Sequence, residues 1–484
     1  LAFQFSLPAL VGLENWTGVA PNEPWLRKVT EGSRRNWFRS PNMIYSINVY
    51  GRRGFFDGVD YNQQVQSFRH FFNNPAIPNE YRQNFIHLYF DIAWFGILSG
   101  SAINFLNVYA ARLGASAFQI GLLGAMPAMV SLFLSIPAGN WLQNRPVGKA
   151  VFWTALLSRF GYFLWIPLPW LFGNQGQIWA LTAITLAMGI PMCGLSVGFN
   201  ALFASAVPPE WRASVMGTRN VVQALTFIIS SLGTGYLLNH LRFPVGYQVV
   251  FGIGFLAAAM STFHLFFVHP QVETGTEAIL NLETAPNLEN KKHPINWHAT
   301  LRLDIWRTSF RKILLVFLGF HLAQYLATPL FTIYTVNVMH LTDANIGIGT
   351  ALFYVTVLLG STQLSRLEHQ VGHHKLTGWG VIGMSIYPLA MGLSHTAVQY
   401  YLLSIVGGFA WALVAGAYAN YLLEKIPVDD RPSHLAWYNI ILNTAVLLGS
   451  VAGPLLAGLI GIGLSLIVFG VLRLLAGAAI LKWG

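Results

Sequence analysis

The stretch PPEWRASVMGTRN, from Pro208 to Asn220, returns without a gap as PVDDRPSHLAWYN from Pro427 to Asn439. Pro208 pairs with Pro427, Glu210 with Asp429, Arg212 with Arg431, Ser214 with Ser433 and Asn220 with Asn439, all at an offset of 219. SAFQIG (Ser116 to Gly121) is answered by TDANIG (Thr342 to Gly347), and LQNRPVGK by LEHQVGH once Pro146 is skipped. A duplicated apolar chain folds as two like bodies, and such bodies commonly meet about a pseudo-twofold axis with a site near the bilayer midplane.

The chain is apolar enough for this. It is 54% hydrophobic and 10% charged, against about 25% charged in soluble domains. Apolar runs long enough to cross roughly 30 Å of hydrocarbon as helices fall at 85–109, 120–141, 150–172, 178–206, 215–238 and 247–268 in the first copy. In the second they fall at 313–338, 346–365, 376–393, 398–424, 435–459 and 462–482. Arg145, Lys149, Arg212, Arg366, Lys375, Lys425 and Arg431 collect in alternate loops. Retained cytoplasmic loops gather Lys and Arg, so both termini are expected in the cytoplasm of a cell held in its cytoplasmic (inner) membrane. The net charge of +10 then reflects topology and an anionic lipid surface, not nucleic acid. Cys193 is the lone cysteine, which excludes a disulfide framework.

The domain plan is an aromatic, basic arm at 1–84, a six-helix bundle at 85–269, a cytoplasmic linker at 270–310 and a second six-helix bundle at 311–484. Within the arm, Val65, Phe68, Phe71 and Phe72 recur at helical spacing beside Arg69, the pattern of a helix lying in the headgroups. Exposed aromatic and Arg side chains also anchor partner surfaces.

Two six-helix halves, a long cytoplasmic linker, and the glycine-bearing basic turn between helices 2 and 3 of each half resemble the major facilitator superfamily. The turns read GNWLQNRPVGK (Gly139 to Lys149) and SRLEHQVGHHK (Ser365 to Lys375); the family pattern is G-x-L-a-D-R-x-G-R-K. Gly148 and Gly372 match its second glycine. The gate aspartate of the pattern is replaced by the Gln143 and Asn144 region in one copy and by His369 in the other. YFDIAWFGILSGSAINFLNVYAARLGAS, from Tyr89 to Ser116, also resembles an uncharacterised bacterial branch of that family. The resemblance implies an all-α integral membrane fold of twelve transmembrane helices in two pseudo-symmetric bundles, with helices 1, 4, 7 and 10 lining a central cavity.

Polar stripes at about 100° per residue appear on those four helices. They carry Ser101 and Asn104 on helix 1, Asn200 on helix 4, His321, Gln324, Tyr325 and Thr328 on helix 7, and Trp411 and Tyr418 on helix 10. These are the candidate substrate-binding residues, although small and hydroxyl side chains also serve helix packing in bilayers. Asp91 plots nearly opposite Gly100 and Asn107, away from that cavity, so it is read as the buried structural partner of Arg159, with proton coupling the competing role. His321 is the titratable group on the stripes. Arg145, Gly148, Gly372, Arg212 and Arg431 are expected to shape the gates, and Arg473 to face the bundle or snorkel. His369 and His373 are interrupted by Gly372, so no metal site is assigned, and no cofactor.

No GxxxxGK[ST] or HExxH motif occurs, and GLSVG (Gly194 to Gly198) lies inside a helix, not on the elbow a nucleophilic serine needs. An enzyme is not expected. The sequence points to a facilitator or secondary transporter of a small uncharged or amphiphilic solute. The alternative is a transport-inactive subunit of a larger membrane complex, docked through residues 1–84.

Overall fold

The computed structural model describes residues 79–143, 145–270, 302–427 and 430–484. Val65, Phe68, Phe71, Phe72 and Asn144 lie outside these, as does the arm but for residues 79–84, which open α1 instead of ending the arm. The first half is built from α1 (Asn79–Leu98, continued through a π-helical turn Ser99–Ile103 and Asn104–Arg112), α2 (Ala117–Gln143), α3 (Val147–Trp165), α4 (Asn174–Ala206), α5 (Pro209–His240) and α6 (Val245–Phe266). The second is built from α7 (Phe310–Ile333, closing in a π turn Tyr334–Val338), α8 (Asp343–Val371), α9 (His373–Met391), α10 (Ala397–Glu424), α11 (Arg431–Ile460) and α12 (Ile462–Trp483). Ten are long and apolar enough to cross a membrane on composition alone. α3 and α9, of 19 residues each, are the shorter pair.

Helices are forced here because lipid offers backbone groups no partner, so every N–H and C=O must be met within the segment. Local signals set the ends. Thr342 accepts from the Asn345 N–H at 3.2 Å to open α8, and Thr396 with Gln399 forms a reciprocal capping box at α10,. Gly372, at φ 81°, separates α8 from α9, a backbone angle at which a side chain would be strained.

The duplication is visible at the atomic level. The halves meet through α2 against α11 and α5 against α8, which are equivalent pairs. A Cβ on Gly121 would lie 2.0 Å from the Ser450 carbonyl, and one on Gly347 would lie 2.7 Å from the Ser231 carbonyl. Gly121 corresponds to Gly347 through the SAFQIG and TDANIG match, and Ser231 to Ser450 at the offset of 219 found for the longer repeat. Both seams therefore rely on bare backbone contact, as small residues permit in bilayers. Gly121→Leu is expected to wedge this seam at a cost of about 1–3 kcal/mol. In a Cys193→Ser background carrying Leu238→Cys, a site buried at 7% exposure, maleimide labelling should rise on adding Gly121→Leu.

Each half also buries a guanidinium among its first, third and sixth helices. In the first, Arg159 on α3 donates to Thr262 on α6 at 2.9 Å. In the second, Arg473 comes from α12 and donates to the carbonyls of Met384 at 3.1 Å and Gln324 at 3.2 Å. Arg473 is 2% exposed and faces the bundle.

Ahead of α7, a short turn of 3-10 helix, Leu303–Arg307, is tied to the start of α11. Arg302 reaches Asp304 and Asp430, each at 2.9 Å. Its N–H groups hold the Asp304 carboxyl below the usual range. Asp430 is lowered by the Ser433 hydroxyl first and by Arg302 after it. Carboxyl groups lowered in the fold stabilise it above their unfolded values, and the contribution disappears as pH falls through the folded ones. The tie is therefore expected to hold at neutral pH and release in acid. Trp306 packs edge-to-face on Trp437 at 5.4 Å, so the near-ultraviolet dichroism lost on Trp306→Phe should also fade on acid titration. Asp430→Asn should weaken that signal at neutral pH.

Candidate substrate-binding site

α5 starts at Pro209, so Arg219 lies ten residues into the helix, roughly 15 Å along it at 1.5 Å per residue,. From there it reaches back to α1. Its Nη2 donates to Asp91 Oδ2 at 3.2 Å, and its Nη1 donates to the Leu88 carbonyl. Arg159 Nη2 stands 3.8 Å from Asp91 Oδ1, an oxygen that also accepts from the Ser261 hydroxyl. All three charged side chains are nearly sealed from solvent, at 4–7% exposure. Two guanidiniums share one carboxylate, leaving a buried excess of one positive charge that burial makes costly.

This triad lines a cavity of about 90 Å³ within α1, α3, α4, α5 and α6. Ser196, Asn200, Asn220 and Gln223 add neutral polar groups; Ile92, Phe95, Met192, Leu195 and Leu265 add apolar wall. The Phe199 ring lies under the Arg219 guanidinium at 4.8 Å, a cation–π contact that orients its plane. The lining offers both charged groups and apolar surface.

Asp91 faces a cavity inside the first half that Gly100, Ser101, Asn104 and Asn107 do not line, and its nearer cation is Arg219, with Arg159 second. The wheel that set Asp91 opposite Gly100 and Asn107 assumed an unbroken α-helix, whereas the π turn at Ser99–Ile103 inserts about one residue, a slip of roughly 100° for everything beyond it. Gly100 packs on α5, where an added Cβ would sit 2.5 Å from the Phe227 carbonyl. Arg219 went unnoticed although Met216, Asn220 and Gln223 accompany it at helical spacing; that stripe on helix 5 was the available signal.

Of the candidate binding residues, Asn200 lines this cavity together with Asp91 and Arg159. Ser101 is buried with its hydroxyl on the Ile97 carbonyl at 2.6 Å. Asn104 donates to Ser231 at 3.3 Å, and Ser231 in turn to the Gly347 carbonyl at 3.2 Å, so this pair serves the contact between halves. His321, Tyr325 and Tyr418 belong to a separate aromatic group in the second half. There His321 Nε2 meets the Tyr438 hydroxyl at 2.9 Å, and His321 is 5% exposed among Phe317, Phe320 and Tyr418. Gln324 and Tyr325 are half-buried, Thr328 is exposed with its hydroxyl on the Gln324 carbonyl, and Trp411 is half-buried. Tyr438 is the repeat partner of Arg219. Equivalent positions therefore reach back to α1 and α7, with an ion pair in one half and a neutral hydrogen bond in the other.

At the gates, Arg212 caps the end of α4, its Nε on the Val207 carbonyl at 3.1 Å, and Arg145 covers Trp141 at 4.8 Å. Gly148 lies in the first turn of α3, Gly372 in the turn between α8 and α9, and Arg431 opens α11. The second basic turn does hold an acid, one residue before His369: Glu368 approaches His373 at 3.2 Å and accepts from Asn420 on α10 at 3.4 Å. At the opposite end of the bundle, Arg112 closes on Asp343 at 3.0 Å and on the Leu341 carbonyl. That end is shut by a clasp between halves.

Twelve long helices in two equivalent bundles among the described residues, with a clasp between the halves at one end and a cavity in the first half, are the architecture of a membrane carrier. The Major Facilitator Superfamily family model matches residues 90–344 and 313–483. The chain belongs to that superfamily and is a multi-pass secondary transporter, not an enzyme. It is similar to multidrug resistance protein 2 of Bacillus subtilis, 25% identical over 122 residues that make up 25% of this chain and 30% of that one. The chain thus spans about a third of that relative's length. It is also similar to the cis,cis-muconate transport protein of Acinetobacter baylyi, 22% identical over 77% of this chain and 86% of that one. Among solved structures, a bacterial homologue of the iron transporter ferroportin, in its inward-facing state, aligns with a TM-score of 0.62 at 16% identity, over 83% of this chain and 98% of that one.

Proposed function

We propose that this transporter moves a small amphiphilic organic solute by rocking its halves about the α2–α11 and α5–α8 seams, with Arg112 and Asp343 parting as the shut end opens. The observation that carries the reading is the cavity itself, with the Asp91, Arg159 and Arg219 triad on one wall and Phe95, Met192 and Phe199 around it. Between an uncharged and an amphiphilic solute, these charges favour the second, because a charged wall must be matched by something in the ligand once water leaves. The names of the relatives, a multidrug resistance protein and a transporter of muconate, are consistent with an organic cargo. Asn200 is assigned to binding. The His321, Tyr325, Tyr418 and Trp411 group is assigned to the part of the path that the second half provides.

The test is counterflow in liposomes holding the purified full chain and preloaded in turn with aromatic carboxylates, aromatic amines and sugars. Exchange of at least one class, abolished by Gly121→Leu, supports the reading. A monodisperse, folded chain that exchanges none of them supports the alternative of a transport-inactive complex subunit, whose docking arm, but for residues 79–84, lies outside the described residues.

A further inference from the structure

We infer that the solute carries an anionic group, a carboxylate or an oxyanion of like shape, and that this group binds beside Asp91 against the guanidiniums of Arg159 and Arg219. The inference deepens the transport reading and rests on it. Asp91 is the one acid among the residues lining the cavity. It serves two cations, its Oδ1 accepting from Ser261 and its Oδ2 from Arg219. Arg159, at 3.8 Å, stands beyond hydrogen-bond length from it. Of the five N–H groups on each guanidinium, Arg219 gives one to Asp91 and one to the Leu88 carbonyl and Arg159 gives one to Thr262, which leaves donors on both for another acceptor. A planar oxyanion can take two parallel N–H groups from one guanidinium, and Phe199 under Arg219 holds that plane in place.

The surroundings agree in sign. Tyr89 and Tyr162, the other ionisable groups acting on these arginines, are phenols and bring no competing negative charge at neutral pH. Asn200, Asn220 and Gln223 offer neutral donors around the mouth. An anion arriving here cancels the excess positive charge, whereas a cation meets two guanidiniums for one carboxylate. The site selects by repulsion as well as attraction.

The experiment uses the purified full chain in detergent and three probes that share one ring and chain: phenylbutyrate, phenylbutyramide and phenylbutylammonium. Titration calorimetry should show phenylbutyrate binding about tenfold or more tighter than the other two, as one added charge-assisted hydrogen bond allows. Arg219→Gln, which leaves Asp91 still facing Arg159, should erase that margin. In Asp91→Asn, phenylbutyrate should raise the thermal midpoint more than it does in the parent, because two guanidiniums then await an anion. Equal binding of the three probes, no binding of any, or a preference for phenylbutylammonium overturns the inference. So does a phenylbutyrate preference that Arg219→Gln leaves unchanged. If Arg219→Gln fails to fold, the probe series on the parent chain, with Arg219→Lys as the milder variant, still decides. Counterflow separates the two levels: phenylbutyrate that binds but never exchanges sinks the transport reading alone, whereas exchange of phenylbutylammonium in its place sinks the anionic site alone.

Discussion

Asp91→Asn is expected to destabilise the fold by about 3–5 kcal/mol, the cost of removing one partner from a buried ion pair, and to lower the thermal midpoint of the detergent-solubilised chain accordingly. The size follows from what stays behind. Arg159 and Arg219 remain at 7% and 5% side-chain exposure with no carboxylate between them, and the Ser261 hydroxyl loses its acceptor. Arg219→Gln should cost less, since Asp91 keeps Arg159 nearby and the site becomes neutral. The double variant Asp91→Asn with Arg219→Gln should recover part of the loss, since contacting residues in one network are not additive. A single-variant loss below about 1 kcal/mol, within the range of an exposed pair, would mean that water reaches the triad freely.

Breaking the clasp at the shut end should act on the conformational equilibrium more than on folding. Arg112 holds both the Asp343 carboxylate and the Leu341 carbonyl, joining the end of α1 to the start of α8. Hydrogen bonds to charged groups contribute about 1.5–3 kcal/mol. With Arg112 27% exposed and Asp343 13%, the lower end of that range applies, so Arg112→Ala or Asp343→Ala should shift the balance between closed and open ends about tenfold. Maleimide access to Leu238→Cys, in the Cys193→Ser background, is the readout. Arg112→Asp combined with Asp343→Arg should restore protection. Failure of the exchanged pair to restore it would assign the closure to the glycine seams alone.

Much of the architecture was legible because bilayer physics leaves traces in one dimension. The apolar runs gave the helices, and the repeat gave the symmetry that places Gly121 on Ser450 and Gly347 on Ser231. Ends were missed where amphipathic turns extend a helix past its apolar run, as at Asn79 and Pro209. The site was less legible. Asn200 of helix 4 lines the first-half cavity, and Asp91 and Arg159 are paired, but Arg219 of helix 5, the nearer cation, was not singled out, and the angles beyond Ser99 depend on a π turn that no residue pattern announces. The His321 face of α7 is polar by composition, yet Tyr438, a residue 117 positions away, takes up its polarity. Whether a polar stripe meets a ligand or a neighbour depends on the opposite helix, which an angular plot does not contain.

The buried guanidinium that each half keeps among its first, third and sixth helices has a consequence for leakage. Arg473 is held by carbonyls alone among the described residues, and Arg159 shares its one acid with Arg219, so each bundle keeps an excess positive charge in its interior, and under the proposed cycle that charge would act on water entering the protein. A sodium ion or hydronium following that water would climb an electrostatic barrier of the kind that excludes cations from other pores. Under the cycle proposed above, the protein would thereby hydrate its own middle without short-circuiting the membrane it sits in.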